Sequence, residues 1–226
     1  MLKIIQNSPN SFQSEDTKTF NDISGFFSIE KNRKNIIINE NNIIIDNINI
    51  IIYKNNNHIG GNIWLSTLVL ILYLDKKNKN FFNNKKILEL GAGTALLSMY
   101  ISKISTNSII TATDYDISIT NENIINNNFN NILTKKIDWN NLEDNDLEKY
   151  DIIFLSDCIY RTTYKSLLLT IKKYLKPKGK IFISNADREN VDEFIYGLLE
   201  INSKIKNKKE RLYYNDKYYI DLNIIH

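Results

Sequence analysis

The chain has 226 residues, of which 42% are hydrophobic and 24% charged, and its formal net charge is +3. This length suits one domain with or without an extension, and the small charge argues against a protein that binds nucleic acid mainly by electrostatic attraction. The single cysteine, Cys158, excludes a disulfide framework and a cysteine-based zinc site. Because only seven glycines and two prolines occur, we expect them to mark positions where the backbone requires them.

The first residues do not resemble a secretion signal, since no apolar segment follows Lys3. The longest apolar stretch, residues 63–74, is interrupted by Ser66 and Thr67 and is too short to span a bilayer, so it predicts a buried helix. With a single cysteine as well, we expect a monomeric cytoplasmic protein, with the nucleus as the alternative location, that makes no membrane contact.

Residues 1–33 are polar and aperiodic, which indicates a loosely ordered lead-in. Three short isoleucine-rich runs within residues 34–59 predict a small antiparallel β meander. We expect residues 34–226 to form a single domain in which this meander precedes a core of residues 60–226.

The second half of the sequence alternates between strand-like and helix-like segments. In chain order we predict strand 86–90, helix 94–103, strand 108–113, helix 117–129, strands 132–137 and 151–155, helix 164–175, strand 180–184, helix 189–200, and a hairpin of residues 211–214 and 218–225. Pro177 and Gly179 predict the turn into the last of the single strands. Such alternation is typical of an α/β fold with helices on both faces of a parallel sheet. We attribute the asparagine clusters at residues 55–57 and 126–128 to loops or solvated helix ends, because Asn is enriched throughout.

In such folds a ligand binds beyond the carboxyl ends of the strands. Gly91, Ala92 and Gly93 follow the first core strand and precede a helix, where backbone N–H groups without neighbouring side chains let a ligand approach closely. A tight turn without a ligand is the alternative. Leu96 occupies the position where the dinucleotide-binding fingerprint has its third small residue, which argues against a nicotinamide-dependent dehydrogenase.

An acid and an aromatic residue end the next two strands. Asp114 closes the second core strand, where a carboxylate can accept hydrogen bonds from both hydroxyls of a ribose. The alternative is a helix N-cap, for which Asp116 is equally suited. Trp139 follows the third strand and either contacts an adenine ring or is an ordinary half-buried tryptophan.

Ser156, Asp157 and Tyr160 follow the fourth core strand, which is fully apolar and therefore expected to be buried on both faces. An acid and a phenol three residues apart at the mouth of a cleft suit a cationic or amine substrate. The alternative is a helix cap and a core tyrosine. His58 and His226 have no partners at the spacing of metal ligands, so we predict no metal site.

Several segments of the sequence carry a resemblance to a known family. They are residues 61–64, residues 86–94 with the sequence KILELGAGT, Thr113 with Asp114, residues 137–139, and Asp157 with Tyr160. Together they resemble the seven-strand, or class I, S-adenosylmethionine-dependent methyltransferases, and within these methyltransferase family 16, the protein-lysine methyltransferase-like group. The resemblance runs from about residue 48 to the carboxyl terminus, and residues 1–47 have no clear counterpart.

The resemblance implies a Rossmann-like, doubly wound and mostly parallel seven-strand sheet with a C-terminal antiparallel hairpin. It implies S-adenosylmethionine as the cofactor, with Asp114 on the ribose. The residues that would line the cofactor site are Trp64, Glu89, Gly91, Ala92, Gly93, Asp114, Trp139 and Ser156. Asp157 and Tyr160 would face the substrate nitrogen. Family members usually have Gly in place of Ala95 and Ala in place of Ser156, and we expect Ala95 to be tolerated because alanine favours a helix start.

The activity implied by the resemblance is methyl transfer to a lysine side-chain amine of a protein substrate. The first alternative is a methyltransferase with another acceptor, such as a small molecule, a nucleic acid or another protein side chain. Nucleic acid is disfavoured because the Asn/Asp-Pro-Pro-aromatic signature does not follow the fourth core strand and the net charge is small. The second alternative is a non-catalytic cofactor-binding scaffold, against which the intact Gly91, Gly93 and Asp114 argue.

Overall fold

The computed structural model describes most of the chain. The described residues are 4–6, 36–38, 42–45, 47–55, 58–142, 146–160, 164–186, 188, 190–201, 206–213 and 219–225. Apart from Ile4–Gln6, the predicted lead-in of residues 1–33 lies outside them, as does the predicted hairpin turn. The division into lead-in, meander and core therefore stays a prediction.

The described residues form eleven strands and five α-helices. The strands are β1 (Ile4–Gln6), β2 (Ile36–Ile38), β3 (Asn42–Ile45), β4 (Ile48–Ile51), β5 (Lys86–Leu90), β6 (Ile109–Asp114), β7 (Ile132–Lys136), β8 (Tyr150–Ser156), β9 (Leu175–Ala186), β10 (Asn207–Tyr213) and β11 (Tyr219–Ile225). The helices are α1 (Leu65–Asp75), α2 (Leu96–Ile104), α3 (Ser118–Asn126), α4 (Tyr164–Tyr174) and α5 (Asn190–Ile201). No helix among the described residues is both long enough and apolar enough to cross a membrane.

Seven strands form one sheet in the order β10-β11-β9-β8-β5-β6-β7. Strands β7, β6, β5, β8 and β9 run parallel, while β11 pairs antiparallel with both β9 and β10. This confirms the predicted mostly parallel seven-strand sheet with a C-terminal hairpin. Because β5 has β6 on one side and β8 on the other, the winding direction reverses at β5, and ligand crevices form at such switch points.

Helices cover both faces of this sheet, as a doubly wound fold requires. Residues of α1 and α2 share one hydrophobic core with one face of the sheet, and residues of α4 and α5 share a second core with the other. Strand β8 contributes Phe154 to the first core and Leu155 to the second. This central strand is therefore buried on both faces, which confirms the prediction made from its apolar sequence.

The isoleucine-rich runs form a second, smaller sheet. Strands β2, β3 and β4 pair antiparallel in sequence, as predicted for the meander, and β1 adds a parallel strand beside β2. The polar composition around β1 gave no signal for this strand. Ile43, Ile45 and Ile50 of the small sheet are buried in the same core as α1 and α2, so the small sheet packs against these helices.

Asn123 in α3 and Asn127, which caps its carboxyl end, bond the small sheet and the residues that follow it. Asn123 accepts a hydrogen bond from the N–H of Tyr53 at 2.7 Å and donates to its carbonyl oxygen at 3.1 Å. One helical turn later, Asn127 makes the same pair of bonds with Ile51, at 2.9 and 2.7 Å. Asn123 is fully buried. Residues 127 and 128 form the turn that ends α3, as predicted for a helix end, but the sequence did not predict that Asn127 also pairs with a strand.

Strand β9 begins earlier than predicted. Its pairing with β8 passes from Leu175 opposite Tyr150 to Lys180 opposite Ile152, with the residues between them displaced from the ladder. Pro177 and Gly179 lie within this irregularity and not in a turn that precedes the strand. A proline can occupy such a bulge because the displaced residues do not need to donate to the neighbouring strand.

Candidate active site

The segment between β5 and α2, residues 91–95, is named here the glycine turn. Gly91 and Gly93 have positive φ angles of +69° and +51°, a region that glycine enters without the steric cost of a Cβ atom. A Cβ added at Gly93 would lie 2.5 Å from the carbonyl oxygen of Gly60. Gly93 is therefore required both by its own conformation and by the close approach of the segment before α1.

Ala95 also has a positive φ, of +60°, and it is the residue that precedes the first turn of α2. The expectation that alanine is tolerated there because it favours a helix start is wrong, since Ala95 adopts the left-handed conformation and not the helical one. An L-residue in that region carries a cost of about 1–2 kcal/mol. The glycine that family members usually have at this position would avoid that cost.

Glu89 supports the glycine turn from the preceding strand. It is almost fully buried, and its Oε2 accepts hydrogen bonds from the backbone N–H of Ser98 at 3.0 Å and from the Ser98 hydroxyl at 2.5 Å. Burial raises the pKa of Glu89 to about 7, against the opposing effect of the Ser98 hydrogen bonds. Because the side chain of Ala95 cannot cap α2, Glu89 supplies a helix cap. Its predicted contact with the cofactor stays a prediction.

Asp114 lies at the end of β6, directly beside the glycine turn. Its Oδ2 accepts the N–H of Gly93 at 2.9 Å, and its Oδ1 accepts the N–H of Tyr115 at 2.7 Å. Burial raises its pKa, while these N–H groups act in the opposite direction. Asp116 accepts the N–H of Ser118, the first residue of α3, whereas Asp114 faces the glycine turn.

The two tryptophans have different neighbours. The Trp139 ring lies next to it, since a Cβ added at Gly91 would be 3.6 Å from Trp139 Cζ2. The buried Trp139 Nε1 has no hydrogen-bond partner among the described residues. Trp64 donates from Nε1 to the carbonyl oxygen of Ile59 at 3.2 Å, and Ile59 is followed by Gly60, whose backbone lies against Gly93.

Residues 156–160, which follow β8, are named here the acid loop. The Ser156 hydroxyl contacts the Thr67 hydroxyl of α1 at 2.8 Å. Cys158 donates from its thiol to the carbonyl oxygen of Leu90 at 3.0 Å, and a Cβ at Gly91 would lie 2.8 Å from its sulfur. Burial raises the pKa of the Cys158 thiol, which is therefore not a ready nucleophile. The acid loop thus lies against the glycine turn.

The end of β9 holds the acid loop in place. Asp157 has a φ of +55° and donates its N–H to the carbonyl oxygen of Ser184 at 2.8 Å. The fully buried Asn185 accepts from the Ile159 N–H at 3.1 Å and donates to the Ile159 carbonyl at 3.3 Å. The sequence offered no signal for Asn185 beyond its position at the carboxyl end of a predicted strand.

Asp157 and Tyr160 occupy the same loop but differ in exposure. The Asp157 side chain is 8% exposed, whereas Tyr160 is 42% exposed. Oδ1 of Asp157 faces the Arg188 guanidinium, whose Nη2 lies 3.2 Å away. Sequence reasoning missed Arg188 entirely. The predicted acid is therefore present at the mouth of the site, but as one half of an ion pair.

These features suit a nucleoside ligand with an adjacent amine acceptor. The glycine turn leaves room for close approach, Asp114 presents a carboxylate, and Trp139 brings an aromatic ring whose N–H has no partner in the described part of the chain. Among the described residues, no group of three or more His, Cys, Asp or Glu side chains is arranged to hold a metal ion. A surface depression of about 450 Å³ near Asn107 and Asn131 lies at the opposite end of the strands, so it does not belong to this site.

The strand order and the turn after β5 define the class I methyltransferase fold. Aeropyrum pernix fibrillarin, solved with S-adenosyl-L-methionine natively bound, has this fold: the two superpose with a TM-score of 0.55 at 14% identity, over 81% of this chain and 94% of fibrillarin. At that identity the likeness concerns the fold alone.

The sequence model of the family described as lysine methyltransferase matches residues 44–200, and the chain belongs to that family. Methyltransferase-like protein 23 of Dictyostelium discoideum is 36% identical over 155 residues, which cover 58% of this chain and 61% of the relative. EEF1A lysine methyltransferase 3 of Xenopus tropicalis is 25% identical over 140 residues, covering 61% and 62%. The chain therefore spans about three fifths of the length of these curated relatives.

Proposed function

We propose that this protein transfers a methyl group from S-adenosylmethionine to the side-chain amine of a lysine in a protein substrate. One observation carries the proposal: the glycine turn and the acid loop lie against each other at the carboxyl ends of neighbouring strands. The bond of 3.0 Å from Cys158 to the carbonyl oxygen of Leu90 joins them. Membership of the lysine methyltransferase family supports the choice of acceptor.

The cofactor side of the site would be formed by the backbone around Gly91 and Gly93, with Asp114 accepting hydrogen bonds from the ribose. The other residues that we assign to it are Trp64, Glu89, Ala92, Trp139 and Ser156. When bound, S-adenosylmethionine supplies a methyl group on a positively charged sulfur, which an amine can displace directly. The protein therefore needs no nucleophile of its own, and its contribution is to bring the two reactants together in the correct orientation.

The acceptor side must receive a lysine that is mostly protonated near neutrality, because its pKa in water is about 10.4. Asp157 would attract and orient this amine. Tyr160, on the same loop and partly exposed, would form an aromatic wall beside the cation. Only the neutral amine has a lone pair with which to attack, so the site must also allow the proton to leave before transfer.

The protein substrate is the least defined part of the proposal. The name of the Xenopus relative gives EEF1A as its target, which makes EEF1A a sensible first acceptor to assay. We further propose that the protein acts as a monomer in the cytoplasm or nucleus; the single cysteine favours an intracellular location. Neither nucleic acid nor membrane takes part in the proposed activity.

The test is methyl labelling. The purified protein is incubated with tritiated S-adenosylmethionine and either recombinant EEF1A or a cell lysate, and the labelled residue is mapped by mass spectrometry. We expect label on a lysine of a protein band that survives nuclease treatment. Label in RNA or in small molecules would overturn the proposed acceptor. If S-adenosylhomocysteine gave no thermal shift, the protein would instead be a scaffold without cofactor binding.

A further inference from the structure

The acid that we assign to the substrate amine is already paired with a cation. Arg188, just beyond β9, directs both Nη2 and Nε at Oδ1 of Asp157, at 3.2 and 3.4 Å. The Asp157 side chain is 8% exposed and that of Arg188 is 25% exposed. Water therefore screens this pair much less than it screens a surface ion pair. A fixed positive charge beside an amine-binding carboxylate favours the neutral form of the bound amine.

We propose that Arg188 is a positioning residue that lowers the pH at which the bound substrate lysine becomes neutral. The inference rests on the proposed function, since it presupposes an amine acceptor at Asp157. It adds a residue outside the segments that carried the family resemblance. Arg188 acts through Asp157 and through its charge, and it need not touch the substrate.

The hydrogen bonds at Asp157 are distributed unequally between its two oxygens. Oδ1 faces three donors: the two Arg188 nitrogens and the N–H of Ala186 at 3.4 Å. Oδ2 has no hydrogen-bond partner among the described residues. Arg188 and Ala186 therefore fix the orientation of the carboxylate by one oxygen and leave the other as the acceptor for the incoming amine.

The charges around Asp157 show why a cation is useful there. The carboxylates of Asp114 on β6 and Glu89 on β5 act on the neighbouring Cys158 together with Asp157. On its own loop the other titratable side chains are Cys158 and Tyr160, and α1 presents the uncharged Thr67 hydroxyl to Ser156. Among the described residues, Arg188 is the cation paired with Asp157. Without Arg188, the Asp157 carboxylate would favour the ammonium form of the lysine.

The transfer step requires the proton to leave first. A proton passes from the ammonium to solvent, and the nitrogen lone pair then forms the N–C bond as the C–S bond breaks. The electron pair of the C–S bond stays on sulfur, which becomes neutral, and the nitrogen takes the positive charge. Arg188 opposes the charge of the ammonium before this step, so a larger fraction of bound lysine is neutral at physiological pH.

The test compares three substitutions. R188Q removes the charge, and R188K keeps it. R211Q removes an arginine that bonds a buried aspartate elsewhere: Arg211 bonds Asp221 at 2.7 Å, the Asp221 side chain is 5% exposed, and Asp221 keeps Lys209 as a second partner at 2.9 Å. Turnover is measured from pH 6.5 to 10 with tritiated S-adenosylmethionine and the acceptor protein that labelling identifies. We expect R188Q to raise the midpoint of kcat by about one pH unit and to lower kcat at pH 7.5 about tenfold, with no rise in KM.

R188K and R211Q should keep the wild-type pH midpoint. A loss of kcat in R188Q by the same factor at every pH, without rescue in R188K, would show a merely structural role and overturn the inference. If the wild-type protein labels no acceptor, the proposed function itself fails. If it labels an acceptor and R188Q has an unshifted pH profile, only the inference about Arg188 fails. Thermal unfolding of each variant confirms that it is folded.

A second measurement needs no acceptor protein. Methylammonium chloride is titrated into each variant with S-adenosylhomocysteine present, and binding is followed by NMR. Because R188Q leaves the Asp157 carboxylate without an opposing charge, it should bind methylammonium about tenfold more tightly than wild type or R188K. Equal or weaker binding by R188Q would contradict the inference.

Discussion

The glycine turn and the acid loop follow adjacent parallel strands, and both contain residues with positive φ, but they reach that conformation by different means. Gly91 and Gly93 adopt it because they lack a Cβ atom. Asp157 adopts it with a full side chain, held by hydrogen bonds from the end of β9. One segment is shaped by residue type and the other by contacts between segments far apart in the chain.

The two segments also differ in the contacts that stabilise their backbone conformations. Positive φ at a non-glycine residue costs of order 1–3 kcal/mol and persists only where the surrounding structure enforces it. For Asp157 the enforcing contacts come from Ser184, Asn185 and Arg188. The acid loop therefore depends on the end of β9, whereas the glycine turn depends on the segment before α1 and on Glu89. Substitutions should separate these two dependencies.

The largest effect should come from breaking the glycine turn. Gly93→Val places a branched side chain where a Cβ would be 2.5 Å from the Gly60 carbonyl oxygen, at a φ of +51°. We expect S-adenosylhomocysteine affinity to fall more than a hundredfold and stability to fall by about 4 kcal/mol. Calorimetry and urea unfolding measure the two losses.

The control is Gly197→Ala in α5. There the added Cβ meets the flexible end of Leu168 at 2.7 Å, at a position without positive φ. Stability should change by no more than about 1 kcal/mol, with ligand affinity unchanged. Wild-type ligand affinity in Gly93→Val would refute the assignment of this turn to the cofactor.

The difference between the glycine turn and the acid loop also explains which site residues the sequence predicts and which it does not. Gly91, Gly93 and Asp114 are predictable because the local sequence determines the turn and a strand end places the acid. Arg188 is not, because it is 31 residues from Asp157 and nothing local marks it. Asn185 and Asn123 are hidden by the abundance of asparagine, which makes a structural Asn indistinguishable from one that reflects composition.

The strands and helices likewise divide into those that the local sequence predicts and those that it does not. Alternation of strand-like and helix-like segments predicts the parallel sheet and its hairpin, since each element is recognisable from its own residues. The irregular start of β9 is set by its pairing with Tyr150, and β1 is set by its pairing with β2. Such features depend on a partner strand, so local patterns do not reveal them.

The next-largest effect is on the pH dependence of stability, which we attribute to Glu89. Burial raises the pKa of Glu89 to about 7 from an ordinary 4.5, so the folded state binds this proton more tightly than the unfolded state. Its contribution to stability is full below pH 4.5 and declines as the pH rises to about 7, by up to about 3 kcal/mol. Glu89→Gln cannot ionise but can still accept from Ser98, so its stability should lack this decline.

Urea unfolding at pH 5 and pH 8 measures the difference. Glu148→Gln is the matched control, because Glu148 is an exposed carboxylate paired with Lys86 at 2.8 Å, and it should retain the wild-type pH dependence. If Glu89→Gln lost as much stability between the two pH values as wild type, ionisation of the Glu89 carboxyl would not be the cause of the pH dependence.

A pair of substitutions should separate the two halves of the site by kinetics. Asp157→Asn removes the acceptor charge and should lower kcat about a hundredfold with S-adenosylhomocysteine affinity within about twofold of wild type. Asp114→Asn should weaken that affinity about tenfold, because it loses a charged acceptor beside Gly93. Steady-state kinetics and calorimetry measure both. Equal losses of kcat and affinity in each variant would contradict the assignment of Asp157 to the acceptor side and Asp114 to the cofactor side.

The smallest effect should be a gain. Ala95→Gly relieves an alanine held at a φ of +60° and should stabilise the protein by about 1 kcal/mol, measured as a higher urea midpoint. Ala112→Gly in β6 is the control, since Ala112 has no positive φ and should lose about 1 kcal/mol. Destabilisation by both substitutions would mean that the conformation at Ala95 is not strained.

Asn123 in α3 and Asn127 at its end lie against the edge of the small sheet. Strand β4 is the outer strand of an isoleucine-rich sheet, and an uncovered edge of that kind is a template on which a second chain can add a strand. Asn123 and Asn127 present to Tyr53 and Ile51 the same donor and acceptor that a peptide group would. The helix thus imitates a neighbouring strand, and a residue type that looked like compositional excess closes a surface from which aggregation could begin.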